Sequence, residues 1–140
     1  SFIAFDGSAH EVNDPEEFFR LQLGGGTSYA KGLAKTVEVQ AKYPESLYDR
    51  YVVLAGDMED FDSPEEDLPG LFDQVRRGSQ FFASVRMAYR AEPARTRIDD
   101  ILRRLHEEDP FVSYVDLAPE NHYEPLILRR IFRNDEEKKK

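Results

Sequence analysis

Tyr51-Val52-Val53-Leu54-Ala55-Gly56-Asp57-Met58-Glu59-Asp60 is the stretch on which the fold turns. Tyr51 to Ala55 is an unbroken apolar run bounded by polar residues, the pattern of a strand buried on both faces of a parallel sheet. The run passes directly into an acidic loop, Gly56 to Asp60, at what would be the strand's carboxyl end. On its N-terminal side, Ala30, Leu33, Ala34, Val37 and Ala41 recur at helical spacing from Ser28 onward, and the helix is expected to end near Tyr43, before Pro44. On its C-terminal side, Asp62-Ser63-Pro64 opens a second helix carrying Leu68, Leu71, Phe72 and Val75, closed by Gly78.

The same alternation continues outward. Phe81 to Tyr89 is expected as a strand with Phe81, Ala83, Val85, Met87 and Tyr89 on one face. A loop through Pro93 leads to a helix with Ile98, Ile101, Leu102 and Leu105 in register, stopped by Pro110. Phe111 to Leu117 reads as a last strand and Tyr123 to Phe132 as a last amphipathic helix. At the other end, Ser1 to Phe5 and Ala9 to Val12 flank the turn Asp6-Gly7-Ser8 and predict a hairpin. Asp14 then serves as N-cap, with Pro15 at the first helical position and Glu17 placed for a capping box. Strands alternating with helices in this way predict an α/β fold with a doubly wound, mainly parallel sheet and helices on both faces. Ligands of such sheets bind at the carboxyl ends of the strands, where Gly24 to Thr27 and Gly56 to Asp60 are expected.

Composition narrows the function classes. A chain of 140 residues with 40% hydrophobic content suits one domain. With no cysteine, thiolate chemistry and disulfides are excluded, a cytoplasmic location is expected, and any metal must be held by oxygen ligands. A net charge of -9 argues against a nucleic-acid partner and for protein partners of basic character. No apolar run approaches the roughly 18 residues of a membrane span, so no membrane partner is expected. His10, His106 and His122 fall on different elements without ligand spacing. No serine sits in a Gly-x-Ser-x-Gly elbow, and the glycine loop lacks the Gly-Lys-Ser/Thr ending of a nucleotide-binding loop, so catalysis is not expected.

Three segments carry a family resemblance. Phe2 to Val12 resembles the second and third strands of von Willebrand factor A domains, Gly24-Gly25-Gly26-Thr27 resembles the glycine loop that presents the metal-binding threonine, and Val52 to Asp57 resembles the fourth strand and its following aspartate. Glu17-Phe18-Phe19 and Tyr43-Pro44 are similar to a bacterial sporulation- and stress-linked subfamily of uncharacterised von Willebrand-like proteins. The resemblance implies that residues 1–133 form a partial domain of this type, lacking the first strand and helix with their Asp-x-Ser-x-Ser motif; residues 134–140 would be a disordered charged tail. It implies a metal-assisted protein-interaction module, with Thr27 and Asp57 as ligands of a weak or incomplete Mg²⁺ site. Its partner would be a serine kinase or an AAA-type ATPase, with pairing to a missing N-terminal segment or a homodimer as further expectations.

Other readings of the same residues stand beside this one. Thr27 or Ser28 is equally a helix N-cap, and the glycine loop at a helix N-terminus is equally a phosphate cradle, which makes a phosphate-binding enzyme the alternative function. Asp57, Glu59, Asp60 and Asp62 are equally a solvated acidic loop. Asp57 is distinguished by following a buried strand, where a carboxylate without a partner is expensive.

Overall fold

A computed structural model of the chain describes residues 1–22, 26–87 and 95–117. The expected helix Tyr123 to Phe132, the tail, His122 and the loop through Pro93 lie outside the described residues, as do Gly24 and Gly25. The chain divides into two compact units, one formed by residues 1–50 and 60–78, the other by residues 51–59 and those from Ser79 onward.

In the first unit, β1 (Phe2–Phe5) and β2 (Ala9–Val12) pair antiparallel from Phe2↔Val12 to Phe5↔Ala9. The Asp6 carboxylate closes the turn by accepting from the Ser8 amide at 2.8 Å and the Ser8 hydroxyl at 3.0 Å, the side-chain-to-backbone bond that makes Asp a turn residue. Helix α1 (Pro15–Arg20) is capped by Asp14, whose side chain accepts from the Glu16 amide. Phe18 stacks on Phe2 at 5.0 Å.

Helix α2 (Tyr29–Ala41) lies against the hairpin and against α3 (Asp67–Arg77). Gly32 is required for the first of these contacts, because a Cβ there would sit 2.7 Å from the Phe5 ring. The Gln40 side-chain amide donates to the Val75 carbonyl at 3.1 Å, joining α2 to α3 through a buried polar bond. The buried face of α2 differs from the expected stripe. Tyr29, Ala30, Leu33, Val39 and Gln40 are buried, whereas Ala34 and Ala41 are exposed. On α3, Leu68, Phe72 and Val75 are buried and Gly78 is the C-cap, as the periodicity predicts, whereas Leu71 is only half-buried.

The second unit holds a parallel sheet in the order β3-β4-β5, formed by Tyr51–Gly56, Phe81–Met87 and Val112–Leu117. The chain is thus an α/β protein with a three-stranded parallel sheet. Register sets Tyr51, Val53 and Ala55 on the same face as Phe81, Ala83 and Val85. The last three pack with Val115 and Leu117 in one apolar cluster. On the opposite face, Phe82, Ser84 and Arg86 lie beside Val112 and Tyr114, beneath α4 (Arg97–Glu108). Helix α4 buries Ile98, Ile101, Leu102 and Leu105. A capping box of Thr96 and Asp99 starts this helix.

Two expectations about the sheet are corrected. Tyr51 and Val53 are 61% and 51% exposed, so β3 is an edge strand and not a strand buried on both faces. In β4 every residue from Phe81 to Arg86 is buried, so the one-sided alternation expected there is absent. It is the central strand that is buried on both faces, and its polar residues Ser84 and Arg86 are held inside. Among the described residues no helix is long and apolar enough to cross a membrane.

Candidate functional site

The start of α2 is built by residues distant in sequence. Ser28 is the N-cap, and its hydroxyl accepts from the Lys31 amide at 3.4 Å. The next amides are satisfied from the loop that opens the second segment of the first unit. Tyr29 N donates to Asp60 Oδ2 at 2.9 Å, and Ala30 N donates to the Ser63 hydroxyl, also at 2.9 Å. Ser63 in turn donates to Asp60 Oδ2 at 2.6 Å. Asp60 Oδ1 accepts from the amides of Asp62 and Ser63 at 3.1 and 2.8 Å, so both carboxylate oxygens are in use. A negative charge here also opposes the positive end of the helix dipole.

Thr27 is half-buried beside this network. Its carbonyl accepts from the amides of Phe61 and Asp62, each at 3.1 Å, while its hydroxyl makes no hydrogen bond among the described residues. Gly26 has φ +64°, and a Cβ on it would lie 1.9 Å from Asp62 Oδ2. The glycine therefore serves twice, adopting a left-handed backbone and leaving room for the carboxylate. The hydroxyl-bearing loop is thereby pressed against the Asp60 to Ser63 turn.

Asp57 belongs to the second unit, immediately after the last residue of β3. It stands at the carboxyl end of a parallel strand, as its sequence position predicts. Its Oδ1 accepts from the Glu59 amide at 2.9 Å, and Oδ2 accepts from no described group. Met58, the next residue, is fully buried with φ 65°. A non-glycine residue in this conformation stores roughly 1–2 kcal/mol of backbone strain. Thr27 and Asp57 thus each keep one hard oxygen ligand unclaimed, within separate units.

The acidic loop is only partly the solvated segment that its composition suggests. Asp60 is a structural anchor, Asp62 and Glu59 are exposed, and Asp57 is half-buried. The amides that a phosphate cradle at α2 would offer are taken by Asp60, Ser63 and Ser28, and a second anion there would meet the Asp60 carboxylate. Neither described histidine faces a metal cluster. His10 Nε2 lies 2.9 Å from the Ser8 hydroxyl, and His106 Nδ1 lies 2.7 Å from the Val112 carbonyl. Among the described residues no group of three or more His, Cys, Asp or Glu side chains could hold a metal ion.

Sequence reasoning missed a buried polar cluster in the second unit. Asp99, with no solvent exposure, sits 3.1 Å from the Arg86 guanidinium and accepts from the Tyr114 hydroxyl at 2.6 Å. It also accepts from the Thr96 amide at 2.8 Å. Burial, reinforced by the bond to Asp99, pushes the Tyr114 phenol up to about 12. The Arg103 guanidinium covers the Tyr114 ring at 5.6 Å. One carboxylate thereby joins the start of α4 to two strands.

No curated protein and no solved structure matches the chain. A family model described as "Protein of unknown function (DUF444)" matches residues 1–133, and the chain belongs to the DUF444 family.

Proposed function

We propose that this chain is a metal-assisted protein-interaction module of von Willebrand A type, with its strands in the doubly wound arrangement of those domains. The observation that carries the reading is the pair of unclaimed ligand oxygens. The Thr27 hydroxyl lies at the start of α2, and the Asp57 Oδ2 lies at the carboxyl end of β3. Both are hard donors of the kind Mg²⁺ takes. Two protein ligands leave most of an octahedral shell to water, so the site is weak. The resemblance would have these two residues share one ion, and a neutral threonine with a single carboxylate leaves such an ion surplus positive charge, which a carboxylate of a protein partner would complete. The resemblance supports a cytoplasmic bacterial stress or regulatory assembly as the setting, with a serine kinase or an AAA-type ATPase as the partner.

Titrating Mn²⁺ into isotopically labelled protein tests this directly. Paramagnetic broadening is expected to appear first at the amides around both Thr27 and Asp57, and to be reversed by excess Mg²⁺. Asp57→Ala should abolish it at both places. Broadening that leaves either residue untouched, or micromolar affinity that survives Asp57→Ala, would overturn the assignment.

A further inference from the structure

Between α2 and α3 the first unit carries an open groove of about 610 Å³. Its apolar lining comes from Ala30, Ala34, Pro64 and Leu71. Ala34 is the very residue that the helical period assigns to the core and that the structure leaves exposed. The rim carries Asp62, Glu66 and Asp67. None of these three carboxylates forms an ion pair among the described residues. Glu66 holds the N-cap position of α3 without accepting a backbone amide, so its charge is not used by the helix. Among the described residues Lys31 is the only cation lining the groove, and its ammonium donates to the Gly7 carbonyl.

Gly70 supplies an independent indication. It lies within α3, where glycine costs about 1 kcal/mol relative to alanine. Three other glycines of this unit have a visible cause: a positive φ at Gly26, the Phe5 ring against Gly32 and the Gln40 side chain against Gly78. At Gly70 the backbone φ is not positive, and nothing lies within 4 Å of where a Cβ would stand. Gly70 lines the groove. A side chain absent from that position, at a cost to the helix and with no steric cause among the described residues, keeps the groove open.

We infer that this groove binds a segment of another protein in which a lysine or arginine stands beside an aliphatic side chain. The aliphatic group would lie over Ala30, Ala34 and Gly70, and the cation would sit among Asp62, Glu66 and Asp67. The net charge of -9 steers such a basic segment toward the chain and makes the association salt-sensitive. This inference does not use Thr27 or Asp57, so it stands or falls separately from the metal site.

The probe is a displayed library of random twelve-residue peptides panned against the intact chain. Enriched peptides are expected to pair Lys or Arg with Leu, Ile or Met. Their binding should shift the amide resonances of Ala30, Ala34 and Leu71 and weaken as salt is raised. Gly70→Leu fills the groove while improving helix propensity. It should reduce affinity at least about tenfold with a melting temperature no lower than that of the parent chain. The double variant Glu66→Gln/Asp67→Asn should reduce affinity about fivefold, since each removes one long-range charge contact. Absence of enrichment, enrichment of acidic or unbiased peptides, shifts centred elsewhere, or unaltered affinity in Gly70→Leu would overturn the proposal.

Discussion

Replacing Asp99 by alanine should be the most damaging single change in the second unit, and its size can be worked from the contacts. The variant takes from Arg86, which is 4% exposed, the carboxylate 3.1 Å away. Breaking a buried ion pair from one side costs about 3–5 kcal/mol, because the remaining charge keeps its desolvation penalty. The Tyr114 hydroxyl loses its acceptor at 2.6 Å, and α4 loses the reciprocal half of its capping box, each a further loss of about 1 kcal/mol. These contributions share one side chain and are not additive. A total of about 4–5 kcal/mol is expected, close to the whole stability of a marginal domain. Urea unfolding followed by far-ultraviolet dichroism measures it, as the chain has no tryptophan. Asp99→Asn, which preserves shape and one acceptor, should lose about half as much. Arg86→Met combined with Asp99→Leu should recover most of the loss, because an apolar pair carries no desolvation penalty. A loss below about 1 kcal/mol in Asp99→Ala would mean that water reaches the cluster and that the burial argument fails.

Tyr114 should make unfolding depend on alkaline pH. Its native pKa is raised from 10.0 to about 12, so the native state holds the proton more tightly than the unfolded chain. The resulting stability is complete below pH 10 and is lost as pH rises through about 12; the urea midpoint of Tyr114→Phe should show a shallower decline over that window. Gly26→Ala should lower stability by about 1–2 kcal/mol from backbone strain alone and displace Asp62, with Gly26→Asn less harmful by thermal unfolding. Ser84 is fully buried and its hydroxyl has no hydrogen-bond partner among the described residues, so Ser84→Ala should raise stability by up to about 1 kcal/mol. A fall of similar size in calorimetry would show that the hydroxyl is satisfied.

Local signals explain what could be read before the structure. The hairpin, the Asp14 cap, the end of α3 at Gly78 and the position of β3 all rest on turn chemistry and periodicity over a few residues. Asp57 was legible for the same reason, since an apolar run followed by Gly-Asp marks a strand end. The burial of β3 was not, because apolarity records what a side chain tolerates and not which neighbours the topology supplies. Val53 is as apolar as Val85, yet the one lies on an edge and the other at the centre of the sheet. Asp60 and Asp99 were missed because acids in loops and first helical turns ordinarily face water. Asp60 instead bonds an amide 31 residues away, and Asp99 finds its partners on two strands that only the folded sheet brings under α4. Ser63, which completes the cap of α2, carries no local mark of that role.

The division of the chain has a consequence for how it is made. It leaves the first unit at Arg50, runs through β3, returns at Asp60 and departs again after Gly78. During synthesis, β3 emerges before β4, the strand it pairs with, and the whole of α3 is translated between them. The parallel ladder therefore cannot begin to form until the other unit has received its last helix, and pairing over such separations is intrinsically slow. Until then Tyr51 to Ala55 is an apolar extended segment with nothing to bond, the kind that associates with like segments on neighbouring chains. Truncation anywhere from Tyr51 to Gly78 leaves neither unit with all of its parts, so no such cut yields an independently folding half. Limited proteolysis in that interval should accordingly unfold the protein rather than release a stable fragment.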